Sequence, residues 1–135
     1  MFSHIQLGAR DLPALIAFYD AVLLPLGLVR LVDYEDAGPD GAGWQLPGQR
    51  YPQFFVQLPF NGQPASWGNG TQVSFRAASD SQVDNAWRTA LALGAVDEGA
   101  PGLRPQYGPG FYAAYCRDPE GNKLCFVCLY AEDEA

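Results

Sequence analysis

Cys125 and Cys128 stand three residues apart in the segment DPEGNKLCFVC, Asp118 to Cys128. That spacing raises three chemistries: a metal site, a reactive thiol, or a strand that buries two small apolar side chains. Asp118-Pro119-Glu120-Gly121 is a type I turn signal, and it runs straight into a stretch of strand composition. On a strand, residues three apart point to opposite faces, so the pair does not make a zinc knuckle. Cys128 is expected beneath the helices as a small apolar residue, and Cys125 is expected to face a cavity. A nucleophilic Cys125 needs a cation or a helix N-terminus to lower its pKa, and no such group is evident from the sequence. His4 is the only histidine of the chain. Three roles stay open for it: metal ligand, general acid or base, or hydrogen-bonded polar residue. Gln6 and Gln72 either read a polar group of a ligand or bond each other and His4. Arg104, in the Gly/Pro-rich segment GAPGLRPQYGPG, is suited to clamp an anion or to pair with surface carboxylates. Trp44, Tyr51, Phe54, Trp67, Tyr107, Tyr112 and Tyr115 are candidates for cavity walls or for ordinary core. The chain carries no G-x-S-x-G, no P-loop and no dinucleotide fingerprint.

These residues need a scaffold, and the chain supplies one twice. HIQLGARDLPALIAFYDAVLLPLG, from His4, aligns with QVSFRAASDSQVDNAWRTALALG, from Gln72. Each opens on four alternating residues, continues with a cap and an amphipathic helix, and closes near a glycine. FFVQL, from Phe54, aligns with CFVCL, from Cys125, which sets Phe55 over Phe126 and Val56 over Val127. Two matches in the same order indicate a duplicated module. In the first module, strand one covers His4 to Leu7, Asp11 caps the helix, Pro13 sits in its first turn, and Leu12, Leu15, Ile16, Tyr19, Val22 and Leu26 form the apolar stripe. In the second, Ser79 and Gln82 form a capping box, and Val83, Ala86, Trp87, Ala90 and Leu91 form the stripe.

Three short strands are expected after each helix. In the first module they are Leu28 to Glu35, a strand around Gly43 to Leu46, and Gln53 to Leu58. In the second they are Ala95 to Glu98, Gly110 to Arg117 and Lys123 to Tyr130. The chain therefore reads as one α+β domain over residues 1–135: module one 1–58, a turn-rich linker 59–70, module two 71–130 and an acidic tail 131–135. Two βαβββ modules build a curved mixed sheet around a cup-shaped cavity, with the helices outside. Ile5, Leu7, Val73 and Phe75 are expected against the helices. His4, Gln6, Gln72 and Ser74 are expected to face the cup.

The chain has 135 residues and a net charge of −7, with no basic cluster. This argues against nucleic acid and anionic membranes as partners. No stretch approaches about 20 apolar residues, and no secretion signal is legible at the N-terminus. Three cysteines, an odd count, then fit a reduced, cytoplasmic protein.

Taken together, HIQLGARDLPALIAFYDAVLLPLGL, GNGTQVSFRAASDSQVDNAWRTALALGA and GAPGLRPQYGPGFYAAYCRDPEGNKLCFVC resemble the glyoxalase, bleomycin-resistance protein and extradiol dioxygenase superfamily, also called vicinal oxygen chelate. The resemblance covers nearly the whole chain and points to the small bacterial two-module subgroup. It implies a divalent metal (zinc, iron, nickel or manganese) held by two histidines and a glutamate, and Lewis-acid chemistry on adjacent substrate oxygens. Carried over residue by residue, those ligand positions are His4, Gln72 and Cys125. Only the first matches, and an amide with a lone thiol makes a poor set, so the expected cofactor state is no metal. The resemblance also implies that GAPGLRPQYGPG is a flap over the cup, and it implies a homodimer. Two functions remain: lyase, isomerase or dioxygenase chemistry, or non-catalytic binding and sequestration of a small molecule. The residues expected to meet that ligand are His4, as acid or base, with Gln6, Phe54, Gln72, Ser74, Arg104, Tyr112 and Cys125.

Overall fold

The computed structural model describes residues 1–32 and 38–129. Part of the expected strand Leu28 to Glu35, together with Tyr130 and the acidic tail, lies outside the described residues.

The duplicated pattern becomes two modules of one topology. The first is β1 (His4–Gly8), α1 (Leu12–Leu23), β2 (Val29–Arg30), β3 (Gly41–Gln45) and β4 (Gln53–Gln57). The second is β5 (Gln72–Arg76), α2 (Asp80–Ala92), β6 (Val96–Leu103), β7 (Tyr112–Arg117) and β8 (Lys123–Cys128). Each module forms a mixed four-stranded sheet, in the order β1-β4-β3-β2 or β5-β8-β7-β6. The first and last strands of each module pair in parallel, and the other pairs are antiparallel.

The helix boundaries follow from capping chemistry. Asp11 accepts from the Ala14 amide at 3.2 Å, and a proline lies in the first turn of α1. The α1 helix passes through a single 3-10 turn, Leu24–Leu26, before Gly27 takes a left-handed conformation with φ 86°. Ser79 accepts from the Gln82 amide at 3.2 Å, while the Gln82 side chain accepts from the Ala78 amide at 2.8 Å.

Both helices and one face of each sheet share a single core. Tyr19, Phe18 and Val22 of α1, Val83, Ala86 and Ala90 of α2, Trp44, Phe54 and Val56 of the first sheet, and Phe75, Leu124 and Phe126 of the second are buried in one cluster. Phe54 meets Phe75 edge-on at 5.1 Å, joining the sheets through their helix-facing sides. The sheets are not hydrogen-bonded to each other, so β1 and β5 each end a sheet as an edge strand. The expected two-module α+β architecture is thus built as two four-stranded mixed sheets, one per module, whose helix-facing sides share one core. Periodicity identifies the face that is buried but not the element it is buried against.

Three local details also depart from the expectation. Ile5 is 37% exposed and lines an apolar cleft between the modules instead of packing on a helix. The strand β6 is longer than Ala95 to Glu98 and absorbs Gly99, Pro101 and Gly102 through two register shifts. An edge strand tolerates this, because bulges and proline are accommodated where one side has no ladder to complete. Finally, the repeat is offset by one residue in its last strand. Phe55 pairs opposite Gln6, and Cys125 pairs opposite Ser74. Phe55 therefore corresponds to Cys125, not Phe126. A slip of one residue on a strand exchanges the two faces.

Candidate functional site

The face of the second sheet that points away from the core carries polar and reactive side chains. Alternation along β5 brings Gln72 and Ser74 to this face, and along β8 it brings Lys123, Cys125 and Val127. Tyr115 of β7 lies opposite Cys125, and β6 supplies Glu98 and Gly99 at the far edge. Arg104, Gln106 and Tyr107 close one side from the short 3-10 turn after β6. Together they line a cavity of about 770 Å³.

Cys125 sits at its floor, 1% exposed, packed with Ala113 and Val127 and flanked by Phe111, Tyr115 and Leu129. Burial pushes its thiol up, because a thiolate would lose its hydration there. Hydrogen bonds with Ser74 and Tyr115, and the charges of Arg104 and Lys123, act in the opposite sense but are outweighed. Cys125 is therefore a protonated thiol at neutral pH. Cys128 lies on the other face, in the shared core, and Cys116 lies there too, its thiol pushed up to about 12 chiefly by burial.

Gln72 does not point a free amide into the cavity, since its Nε2 donates to Ser74 Oγ at 3.0 Å. Arg104 donates from Nη1 to the Gly102 carbonyl and from Nη2 to the Ala100 carbonyl, both at 2.8 Å. Its guanidinium stands 5.5 Å from the centre of the Tyr115 ring. The ammonium of Lys123 stands at the same distance, 5.5 Å, from that ring. Glu98 is held by Arg117 at 2.9 Å.

The remaining expected site residues lie elsewhere. His4 is on β1 of the first sheet, hydrogen-bonded through Nδ1 to Ser3 Oγ at 2.8 Å and edge-on to Phe55 at 5.6 Å. Gln6 lies on the same strand and does not line the cavity of the second sheet. Phe54 is in the core, tilted against Tyr19 at 4.9 Å. Tyr112 lies on the helix side of the second sheet, where its hydroxyl donates to Asp84 Oδ1 at 2.7 Å. That hydrogen bond, more than burial, pushes the phenol up to about 12.

Within one chain, then, His4 does not join Gln72 and Cys125. Among the described residues no three His, Cys, Asp or Glu side chains come together as a ligand set. The donors present fit the metal implied by the family resemblance poorly: an amide stands in place of an imidazole, a buried thiol in place of a carboxylate, and within one chain the imidazole is on the other sheet. Sequence reasoning missed Lys123. It is the single lysine of the chain, and it stands two residues before Cys125, which on a strand means the same face.

The two-module fold recurs in known proteins. Residues 1–126 match the family model of the Glyoxalase/Bleomycin resistance protein/Dioxygenase superfamily. A glyoxalase/bleomycin resistance protein from Albidiferax ferrireducens T118 is 36% identical, with a TM-score of 0.80 over 95% of this chain and 98% of that one. A glyoxalase/bleomycin resistance protein/dioxygenase family enzyme from Burkholderia phytofirmans PsJN is 20% identical, with a TM-score of 0.68 over 94% and 97%. A lactoylglutathione lyase from Agrobacterium tumefaciens is 22% identical, with a TM-score of 0.64 over 96% and 93%. The last two are similar in fold alone. No curated protein matches the chain.

Proposed function

The chain belongs to the glyoxalase/bleomycin resistance protein/dioxygenase superfamily, and from that premise we propose that it binds a small molecule in the cup of its second module without a resident metal. One observation carries this reading. Where the resemblance implies two histidines and a glutamate, the chain has His4, an amide at Gln72 and a buried thiol at Cys125, and within one chain the imidazole lies on the other sheet from the amide and the thiol. The cup itself remains concave, with Ser74, Tyr115, Lys123 and Arg104 around an apolar floor. A few directed polar groups over apolar lining are the usual composition of a small-molecule site. The proposed role is binding or sequestration, in contrast to metal-assisted lyase or dioxygenase chemistry.

We also infer a homodimer. β1 and β5 are edge strands, and between the modules lies an apolar cleft of about 730 Å³ lined by Ile5, Leu28, Phe54, Val73 and Phe75. Free edges beside apolar surface favour pairing with a second chain. A cytoplasmic location accords with the three unpaired, buried cysteines. Among the described residues no helix is long and apolar enough to cross a membrane.

The test is a thermal-shift screen of the full chain against a library of small aromatic and vicinally oxygenated compounds. A ligand present at 100 times its Kd stabilises by about 2.7 kcal/mol, a shift of several degrees. At least one compound should produce it, and Ser74→Phe, which fills the cup, should abolish it. A library without a hit, or hits that Ser74→Phe leaves unchanged, would contradict the reading.

A further inference from the structure

The cup concentrates positive charge in a protein of net charge −7. The single lysine, Lys123, and one of the seven arginines, Arg104, both stand 5.5 Å from the centre of the Tyr115 ring. Among the described residues neither cation has a carboxylate within 4.0 Å: the ion pairs are Arg30 with Asp20, Arg88 with Asp84 and Arg117 with Glu98. The one carboxylate on the cavity wall, Glu98, already faces Arg117. The Arg104 hydrogen bonds go to backbone carbonyls, which fix its position without neutralising it. The planar guanidinium and the ammonium thus form a half-buried, uncompensated pair at the rim of a concavity. Phe111, Val127 and Leu129 make the adjoining wall apolar.

We propose that this cup selects an anionic small molecule, a carboxylate or phosphate monoester carrying a compact apolar or aromatic body. Its charged group lies between Lys123 and Arg104 beside Tyr115, and its body lies over Phe111, Val127 and Leu129. The inference rests on the reading of the cup as a binding site and adds the ligand class. The chemistry is that of charge-assisted hydrogen bonding, stronger than its neutral counterpart and geometrically defined by the guanidinium fork. Ser74 and Tyr115 add hydroxyl groups at the floor, each hydrogen-bonded to Cys125. The acidity of the rest of the chain makes the cup the exception in its own field. Small anions are therefore held by the local pair and are not drawn in by long-range attraction, so affinity is expected to fall with salt only as local screening requires.

The experiment is calorimetric titration of the full chain with phenylacetate, phenyl phosphate and the neutral phenylacetamide. Both anions should bind at least about tenfold more tightly than the amide, the ratio that one charge-assisted contact supplies. Lys123→Ala should remove most of that ratio, and Lys123→Arg should keep it. The Lys123 side chain makes no hydrogen bond among the described residues and its backbone pairing does not depend on the side chain, so Lys123→Ala is expected to fold. An unchanged melting temperature verifies that. Arg104 props the β6 carbonyls, so its variants serve only as a second comparison. A second readout uses the single lysine. Phenyl phosphate should slow acetylation of Lys123 severalfold, with the α-amino group as internal reference. Equal affinity for acid and amide, or an unchanged ratio in Lys123→Ala, would overturn the charge-based inference and leave the cup reading standing. If none of the three probes binds, the inference falls. If the thermal-shift library also yields nothing, the cup reading falls with it.

Discussion

The carboxylate of Asp118, a residue 1% exposed, accepts four hydrogen bonds: from the Glu120 and Asn122 amides at 2.9 and 3.0 Å, from the Asn122 side chain at 2.8 Å and from the Tyr19 hydroxyl at 2.6 Å. The turn that opens the last hairpin is thereby bolted to α1 of the other module. Burial first, and then Asp118, push the Tyr19 phenol well above its usual range. Asp118→Ala would strand several buried donors, so a loss of about 3 kcal/mol or more is expected in chemical denaturation, against about 1 kcal/mol for Tyr19→Phe. Cys116 supplies a pH test. Its folded pKa is raised to about 12 from the ordinary 9.0 of a free thiol. Below 9 both states hold the proton and the full contribution is present. Between 9 and 12 the unfolded thiol ionises first, so stability falls as pH rises. Denaturation midpoints of the parent should decline across that window, and Cys116→Ala should decline less. At this scale the sequence was informative about side: Cys125 and Cys128 do lie on opposite faces. It was silent on depth. The cations near Cys125 are present, contrary to what the local sequence suggested, yet desolvation outweighs them, and burial cannot be read from neighbours along the chain.

At the scale of elements, Glu120 shows how one module terminates the helix of the other. Its carboxylate accepts from the Arg10 amide at 2.7 Å and the Asp11 amide at 2.9 Å, just ahead of α1. A negative group at a helix N-terminus is favoured by both the free amides and the macrodipole. Glu120→Ala should cost about 1 kcal/mol by denaturant titration, with Glu120→Gln losing less because one acceptor oxygen remains. Loss of stability equal to that of Asp118→Ala would contradict a side-chain role confined to the two amides ahead of α1. The helix caps at Asp11, Ser79 and Gln82 were legible because capping needs particular residue types at particular spacings. Strand β6 was not. Its glycines and Pro101 read as loop, and only its edge position makes them tolerable. The register of β4 against β8 was misread by one residue because FFV and CFV look alike. Which residue faces the cup is fixed by pairing with β1 and β5, not by local similarity.

For the whole molecule, duplication was plain in the sequence, and the separation into two sheets that share one core was not, since amphipathic stripes do not name their partners. That arrangement leaves His4 and the Cys125 cup on different sheets and leaves two strand edges beside an apolar cleft. Sedimentation at micromolar concentration should therefore give twice the chain mass of 14.7 kDa. A species at the chain mass alone would reject the homodimer. The central claim is that the cup works without a resident metal, and elemental analysis of protein purified without chelator tests it most directly. The account predicts zinc, iron, nickel and manganese each far below one equivalent per chain, with the ligand response intact. About one equivalent of any of them, lost together with ligand binding when Cys125→Ala is introduced, would contradict it.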